Sequence, residues 1–294
     1  MSALKPTAGE RSFDVFNIIL LTVISLMFLV PFMAILSTSF ISAEESMRRG
    51  AFVLIPETID FGAYDLLLNR GLIIYNAYKV TLFRVIVGTF LNLLLTATLA
   101  YGLSRRTLPG RNGLVLIIFL TMIFHGGLIP NYMLIDSIGL KDKLMVLIIP
   151  GLISAWNLFI MRNFFLALPE ELEESAVIDG ATPAVILRKI IVPLSMPAIA
   201  TIGLFYAVYH WNDWFGASIY INSQSKLPIQ VIMRNILLTG IIHDETQMEF
   251  IKDPPPAATL KSAVIIVSTL PILFVYPFIQ KYFVKGMMVG SIKG

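Results

Sequence analysis

The sequence predicts an all-α polytopic membrane protein with six transmembrane helices, on the evidence of its composition and of its long apolar segments. Hydrophobic residues make up 56% of the 294 positions, charged residues only 14%, and the mean hydropathy is +0.80. Soluble domains carry about 25% charged residues, so this composition excludes an ordinary soluble enzyme. A net charge of +3 is too small and too scattered to indicate nucleic-acid binding.

Six segments are long enough to cross a bilayer as helices, which takes about 20 mostly apolar residues. The expected spans are about 15–39, 85–104, 112–135, 144–161, 194–221 and 262–280, and the fifth uncharged run itself covers 190–212. The first run is longer than the roughly 7–15 apolar residues of a cleavable signal, so we interpret it as a retained span. Without an apparent repeat, residues 1–294 are expected to form one transmembrane domain.

An even number of spans places both termini on one side of the membrane. The Lys and Arg count does not distinguish the two orientations, because 11 of the 22 fall on each side. However, Arg105, Arg106 and Arg111 crowd one short connection, where positive charge is most informative. We therefore expect both termini in the cytoplasm.

The inner connection at 162–194 is predicted to contain two short helices. Pro169 and the carboxylates after it favour a helix start, and Gly180 favours its end. Thr182 with Pro183 begins a second helix, which Pro193 closes. Five acids against three bases in this loop would be repelled by anionic lipid, so a protein partner is favoured over a helix that lies on the membrane.

The loop resembles the EAA loop of bacterial ABC-importer permeases, where the ATPase subunit docks. The matching pattern is Glu174-Ser175-Ala176, three residues, Gly180, nine residues, Ile190, one residue, then Val192-Pro193; Ser175 replaces the usual Ala. Further segments are similar to the carbohydrate branch related to the smaller maltose permease: GGLIP at 126–130, LIIPG at 147–151, MRNFF at 161–165, WNDW at 211–214 and QKYFVKG at 280–286. Within that branch the sequence is most similar to permeases for complex or acidic oligosaccharides, such as the alginate-type importers.

This resemblance implies a type I ABC-importer permease fold in the bacterial cytoplasmic (inner) membrane, with cytoplasmic coupling helices between spans 4 and 5. It implies several partners: a second homologous permease, two copies of an ABC ATPase, a periplasmic or extracellular solute-binding protein and an oligosaccharide. ATP and Mg²⁺ would be bound by the ATPase, with no cofactor in this chain. The residues expected to couple to the ATPase are Glu174, Ser175, Ala176, Asp179, Gly180 and Pro193.

A belt of polar and aromatic residues interrupts the fifth span. Amides, aromatic rings and a carboxylate suit a saccharide path, since sugars offer C–H faces for stacking and hydroxyl rims for hydrogen bonds. An aromatic belt at the membrane interface explains the same residues equally well. The candidate path residues are Tyr206, Tyr209, His210, Trp211, Asn212 and Asp213.

Polar residues elsewhere in or beside the spans, such as Asn92, are expected mainly in helix–helix hydrogen bonds. His125 beside Gly126 and Gly127 predicts a break in the third span, either as a packed kink or as a ligand contact.

Enzyme motifs are missing from the sequence. It has no phosphate-binding loop, no nucleophile elbow, no cysteine and no metal-ligand spacing among His125, His210 and His243, so no catalytic or metal-binding residue is predicted. The alternatives are a membrane-embedded enzyme or a self-sufficient secondary transporter that uses Asp213 for proton coupling. A lone carboxylate, the lack of an inverted repeat and the complete docking motif disfavour both.

Overall fold

A computed structural model describes residues 7–50, 52–68, 72–239 and 255–291, and His243 lies outside them. Within these ranges the chain is helical and contains no strand. The helices are α1 (Ala8–Thr38), α2 (Ala43–Arg49), α3 (Gly62–Leu68), α4 (Leu72–Ser104), α5 (Arg111–Ile123), α6 (Leu128–Ser137), α7 (Ala155–Leu166), α8 (Glu171–Ile178), α9 (Pro183–Ile186), α10 (Val192–Leu194), α11 (Met196–Asn212), α12 (Phe215–Tyr220), α13 (Ile229–Thr239) and α14 (Ala257–Ser291).

Three helices in the described part of the chain are long and apolar enough to span a membrane alone, namely those over Gly9–Thr38, Ile73–Ser104 and Ala257–Phe274. Three bent pairs pass the same test together, which allows up to six spans by length and composition. The bends are 113° between α5 and α6, 52° before α7, and 86° before α11. The all-helical fold class is confirmed. The third and fourth expected spans are bent, the 86° bend separates the loop helix from α11, and the fifth expected span, 194–221, is interrupted at 213–214 between α11 and α12.

The residue contacts divide the chain into two compact units, Met1–Leu72 with Met233–Leu270, and Ile73–Ile232 with Pro271–Gly294. In the first unit, Thr7 and Glu10 form a capping box that starts α1. Ser42 caps α2, and the buried carboxylate of Glu45 in that helix accepts from the Arg49 guanidinium and from the Glu57 N–H. These bonds fix the chain that follows α1.

Two buried clusters lie among the described residues of the second unit. One cluster joins the end of α4 to α7, α11 and the 162–194 loop, through residues such as Tyr101, Met161, Ile186 and Ile202. The other cluster joins the start of α4 to the residues around Val146 and Ala217. The fourth apolar segment therefore has a packed core at each of its ends.

Neither the third nor the fourth span is a continuous helix. The third span breaks at 124–127, where Gly127 has φ +82°, which confirms the break predicted beside His125. The fourth span, expected as a helix from residue 144, begins instead with two 3₁₀ turns, Leu144–Leu147 and Ile149–Gly151, and becomes α-helical only at Ala155. Pro150 explains this difference, because it has no N–H to donate and its ring disfavours a regular α-helix.

The connection before the fourth span is hydrogen-bonded to the connection after the fifth span. Asp142, a non-glycine residue with φ +55°, accepts hydrogen bonds from the Ser223 hydroxyl at 2.5 Å and from Lys226 Nζ at 3.0 Å. The Ser223 hydroxyl, the Ser223 N–H and Lys226 hold the pKa of Asp142 well below its usual range. These two connections are expected on the same side of the membrane, and the contact agrees with that topology.

Candidate functional site

The first loop helix, α8, begins and ends as its sequence predicts. Glu171, Glu173 and Glu174 occupy its first turn, where carboxylates stabilise the positive end of the helix dipole. Gly180 has φ +77°, and its N–H donates to the Val177 carbonyl while the next N–H donates to the Ala176 carbonyl. This pair of bonds is a Schellman motif, which requires the left-handed conformation that glycine adopts without strain.

Two arginines hold α8 against the connection that follows α4. Arg105 pairs with Glu173, and Arg106 Nε lies 3.2 Å from Glu170 Oε1. The two carboxylates at the start of the loop are therefore engaged within the chain. Glu174 and Asp179 are exposed and make no ion pair among the described residues, so their charges are available to a partner.

The second loop helix is anchored more deeply than the first. A single helical run covers α9, a π-helical turn at Leu187–Ile191, and α10, and it buries Ile186 and Ile191. The Val192 N–H donates to the Leu187 carbonyl, five residues back, and Pro193, which follows it, is exposed and has no N–H to give. Helix α8, by contrast, buries none of its side chains.

Two polar residues of α11, Tyr206 and His210, are buried against α4, and Tyr206 also contacts the broken fourth span. Tyr206 is buried, and its hydroxyl lies 2.8 Å from Thr96 Oγ1 and accepts from the Ser154 N–H at 3.1 Å. His210 is also buried, with Nε2 2.6 Å from Asn92 Oδ1. The Tyr206 hydroxyl thus gives the Ser154 N–H, at the break before α7, a partner in an apolar setting.

Asn92 completes this arrangement. Its Nδ2 donates to the carbonyls of Gly151 at 2.7 Å and Leu152 at 2.8 Å, both in the broken segment. Since the Asn92 amide oxygen carries no proton and can only accept, His210 Nε2 is the donor in their contact. Gly88 lets the His210 ring approach α4, since a Cβ there would lie 2.5 Å from Nε2.

Asp213 is held by a buried arginine. Arg84, whose side chain is 1% exposed, pairs with the Asp213 carboxylate, and its Nη1 donates to the Asp213 carbonyl at 2.7 Å. Its Nε donates to the Leu147 carbonyl at 3.1 Å. The guanidinium thus joins α4, the 3₁₀ turn of the fourth span and the residue that ends α11, and Asp213 is not a lone carboxylate.

The remaining residues of the belt differ in exposure. Tyr209 is 49% exposed and lies against Gly151, and Asn212 is exposed. Trp211 is buried, and its indole N–H has no acceptor among the described residues. Of the six candidate path residues, only Tyr209 and Asn212 therefore have solvent-exposed side chains.

Sequence reasoning missed Arg84, because the second span was expected to begin at residue 85, whereas α4 begins at Leu72. The signal for it was Asp213 itself, since a carboxylate within a span requires a cation or a water-filled cavity. No group of His, Asp or Glu side chains in the described ranges could hold a metal ion.

Comparison with known proteins defines the class. The chain belongs to the family of binding-protein-dependent transport system inner membrane components, which it matches over residues 106–289. This match confirms a permease subunit of the ABC-importer type, which is not itself an enzyme, and it agrees with a multi-pass protein of the inner membrane.

Particular relatives extend over nearly the full length. The chain is 44% identical over 287 residues to the polygalacturonan/rhamnogalacturonan transport system permease protein YtcP of Bacillus subtilis (strain 168), covering 97% of this chain and 99% of that protein. It is 41% identical to the protein LplC of the same strain, covering 98% and 97%. A solved bacterial ABC transporter involved in the import of the acidic polysaccharide alginate contains a chain with TM-score 0.88 and 32% identity, covering 96% of this chain and 100% of that one. The resemblance to carbohydrate-importer permeases is confirmed.

Proposed function

We propose that this chain is one permease of an ATP-driven importer of oligosaccharides, and that α8 is the helix on which the ATPase subunit docks. The observation that carries the proposal is a rigidly held helix whose apolar side chains are uncovered. Leu172, Val177 and Ile178 of α8 are 41%, 61% and 85% exposed, while the Schellman motif and two ion pairs fix the helix ends. Rigid elements of this kind transmit motion better than flexible loops.

The docking proposal sets the orientation and the partners. If α8 meets an ATPase, residues 162–194 lie in the cytoplasm, and six spans then place both termini there. The chain has no nucleotide-binding motif, so ATP and Mg²⁺ would be bound by two copies of the ATPase. A second, homologous permease would complete the pore, and a solute-binding protein would deliver the sugar from the other side.

The names of the relatives support complex, acidic oligosaccharides as the substrate class. Within this chain, the exposed Tyr209 and Asn212 are the residues that we propose to contact the sugar, because an aromatic face and an amide suit its C–H faces and hydroxyls. Tyr206, His210 and Asp213 would act on the path through the position of the fourth span, which Tyr206 contacts directly and the other two contact through Asn92 and Arg84 of α4.

The docking proposal is tested with Ile178→Glu, which places a charge on the apolar surface of α8. The matched control is Ile138→Glu, at another exposed isoleucine, 56% exposed and at the end of α6. ATPase subunits that co-purify with the permease, and ATP hydrolysis stimulated by sugar and binding protein in proteoliposomes, are measured for both variants. We expect loss only for Ile178→Glu. Full retention and full stimulation in that variant would refute docking on α8.

A second experiment separates the importer from a secondary transporter. Uptake into vesicles is measured first with ATP and without a proton gradient. It is then measured with an imposed proton gradient and without ATP. ATP-dependent uptake is expected. The pairing of Asp213 with Arg84 already disfavours proton coupling at that carboxylate, because its negative charge is compensated within the chain.

A further inference from the structure

A cleft of about 410 Å³ lies between α5 and α7, at the end of these helices that adjoins the 162–194 loop. The cleft has an apolar wall, and the end of the cleft nearest the loop is polar. The apolar part consists of Val115, Leu116, Phe119 and Phe159, and the polar part of Asn112, Arg162 and Asn163. Helix α5 buries none of its side chains, so this surface is open in the chain.

The positive charge at the polar end is not compensated. Arg162 Nε donates to the Leu103 carbonyl at 2.9 Å, which fixes the side chain but does not neutralise it. Arg111, the first residue of α5, lies at the same end, where its Nε donates to Oδ1 of the cleft residue Asn112 at 3.4 Å. Across the described ranges neither guanidinium pairs with a carboxylate, whereas the nearby Arg105 and Arg106 both do.

We propose that this cleft binds an anionic phospholipid, with an acyl chain along the apolar wall and the phosphate at the polar end, where Arg162 and Arg111 supply positive charge. Two like charges held together favour a bound anion, and the adjoining apolar wall favours an anion that carries a hydrocarbon chain over free phosphate. Basic pockets between transmembrane helices bind anionic headgroups by this combination. Two amides, Asn112 and Asn163, offer donors to the remaining headgroup oxygens.

The test measures binding of phosphatidylglycerol to the full chain, purified with its co-purifying subunits, after delipidation. Nanodiscs with defined fractions of phosphatidylglycerol in phosphatidylcholine give the affinity, and native mass spectrometry gives the number of retained lipids. We expect Arg111→Gln to weaken phosphatidylglycerol binding about fivefold and the pair Arg111→Gln with Arg162→Gln about 25-fold, since each basic group contributes about 1 kcal/mol. Arg106→Gln removes a paired arginine from the same connection and should leave binding unchanged.

Three results would overturn the proposal. These are equal binding of phosphatidylcholine, displacement of the lipid by millimolar inorganic phosphate, and loss of the ATPase with unchanged lipid binding in the Arg111→Gln variant. The second result indicates a site for a soluble anion, and the third indicates a protein contact. Arg111→Gln keeps the bond from Arg162 to Leu103, so the test stands even if the double variant does not fold.

Discussion

The Arg84–Asp213 pair permits a quantitative test of what holds the broken fourth span. We consider Arg84→Met, Asp213→Asn and the double variant. Asparagine keeps the oxygen that accepts the Gly216 N–H at the start of α12, and it keeps the backbone carbonyl that Arg84 contacts. The variant therefore removes the negative charge with little change in shape.

The structure sets the expected size of each effect. Removing one partner of a buried pair costs about 3–5 kcal/mol, because the other charge is left uncompensated. Since Asp213 is 19% exposed, and Arg84 keeps two carbonyl acceptors in Asp213→Asn, we expect the lower end, about 3 kcal/mol for each single variant. The double variant leaves no unpaired charge, but the Leu147 and Asp213 carbonyls lose their donor, which costs about 1–3 kcal/mol. We expect a loss of at most about 3 kcal/mol rather than the sum of about 6 kcal/mol, so the coupling energy is at least about 3 kcal/mol.

The assay is equilibrium unfolding of the purified complex in mixed micelles with increasing SDS, followed by circular dichroism, for all four proteins of the cycle. Sugar transport by each variant in proteoliposomes shows whether the pair also matters for the path. If the loss in the double variant equals the sum of the two single losses, the pair is not energetically coupled, and the contact between α4 and the end of α11 does not hold the fourth span.

The remaining predictions concern glycine positions and one carboxylate. A Cβ at position 180 would meet no atom within 4 Å, but the positive φ of Gly180 strains any other residue. Gly180→Val should therefore strain the α8 turn by about 1–2 kcal/mol and reduce the amount of ATPase that co-purifies with the permease. A normal amount of co-purified ATPase would contradict this prediction. Gly88→Ala should destabilise by about 1–3 kcal/mol, because its Cβ meets His210, whereas Gly102→Ala on the same helix has open space and should be neutral or stabilising in SDS unfolding. The lowered pKa of Asp142 means that its charged form stabilises the fold, so Asp142→Asn should lower the free energy of unfolding between about pH 5 and 8. Below about pH 4, where the carboxylate begins to take up a proton in the unfolded chain, the difference in stability between the variant and the original protein should shrink. A pH-independent difference would contradict that account.

Much of the fold follows from short-range properties of the chain. The apolar segments are expected from hydropathy alone, since a bilayer imposes both their length and their helical backbone. The break beside His125 and the left-handed end of α8 at Gly180 are local effects of glycine, which any window of a few residues reveals. The positions of the loop helices follow for the same reason, and the docking pattern in that loop identified the family.

Tertiary structure decided what the polar residues in the spans do. The belt at 206–213 has the composition of a saccharide path, yet folding places the Tyr206 hydroxyl against the Ser154 N–H and His210 against Asn92, which donates to the Gly151 carbonyl. Arg84 is an ordinary charge at the edge of an apolar run until α4 extends past it and brings it to Asp213. Sequence determines which groups are costly to bury, because that cost belongs to each side chain. The fold alone determines which partner offsets the cost, because that depends on distances between segments far apart in the chain.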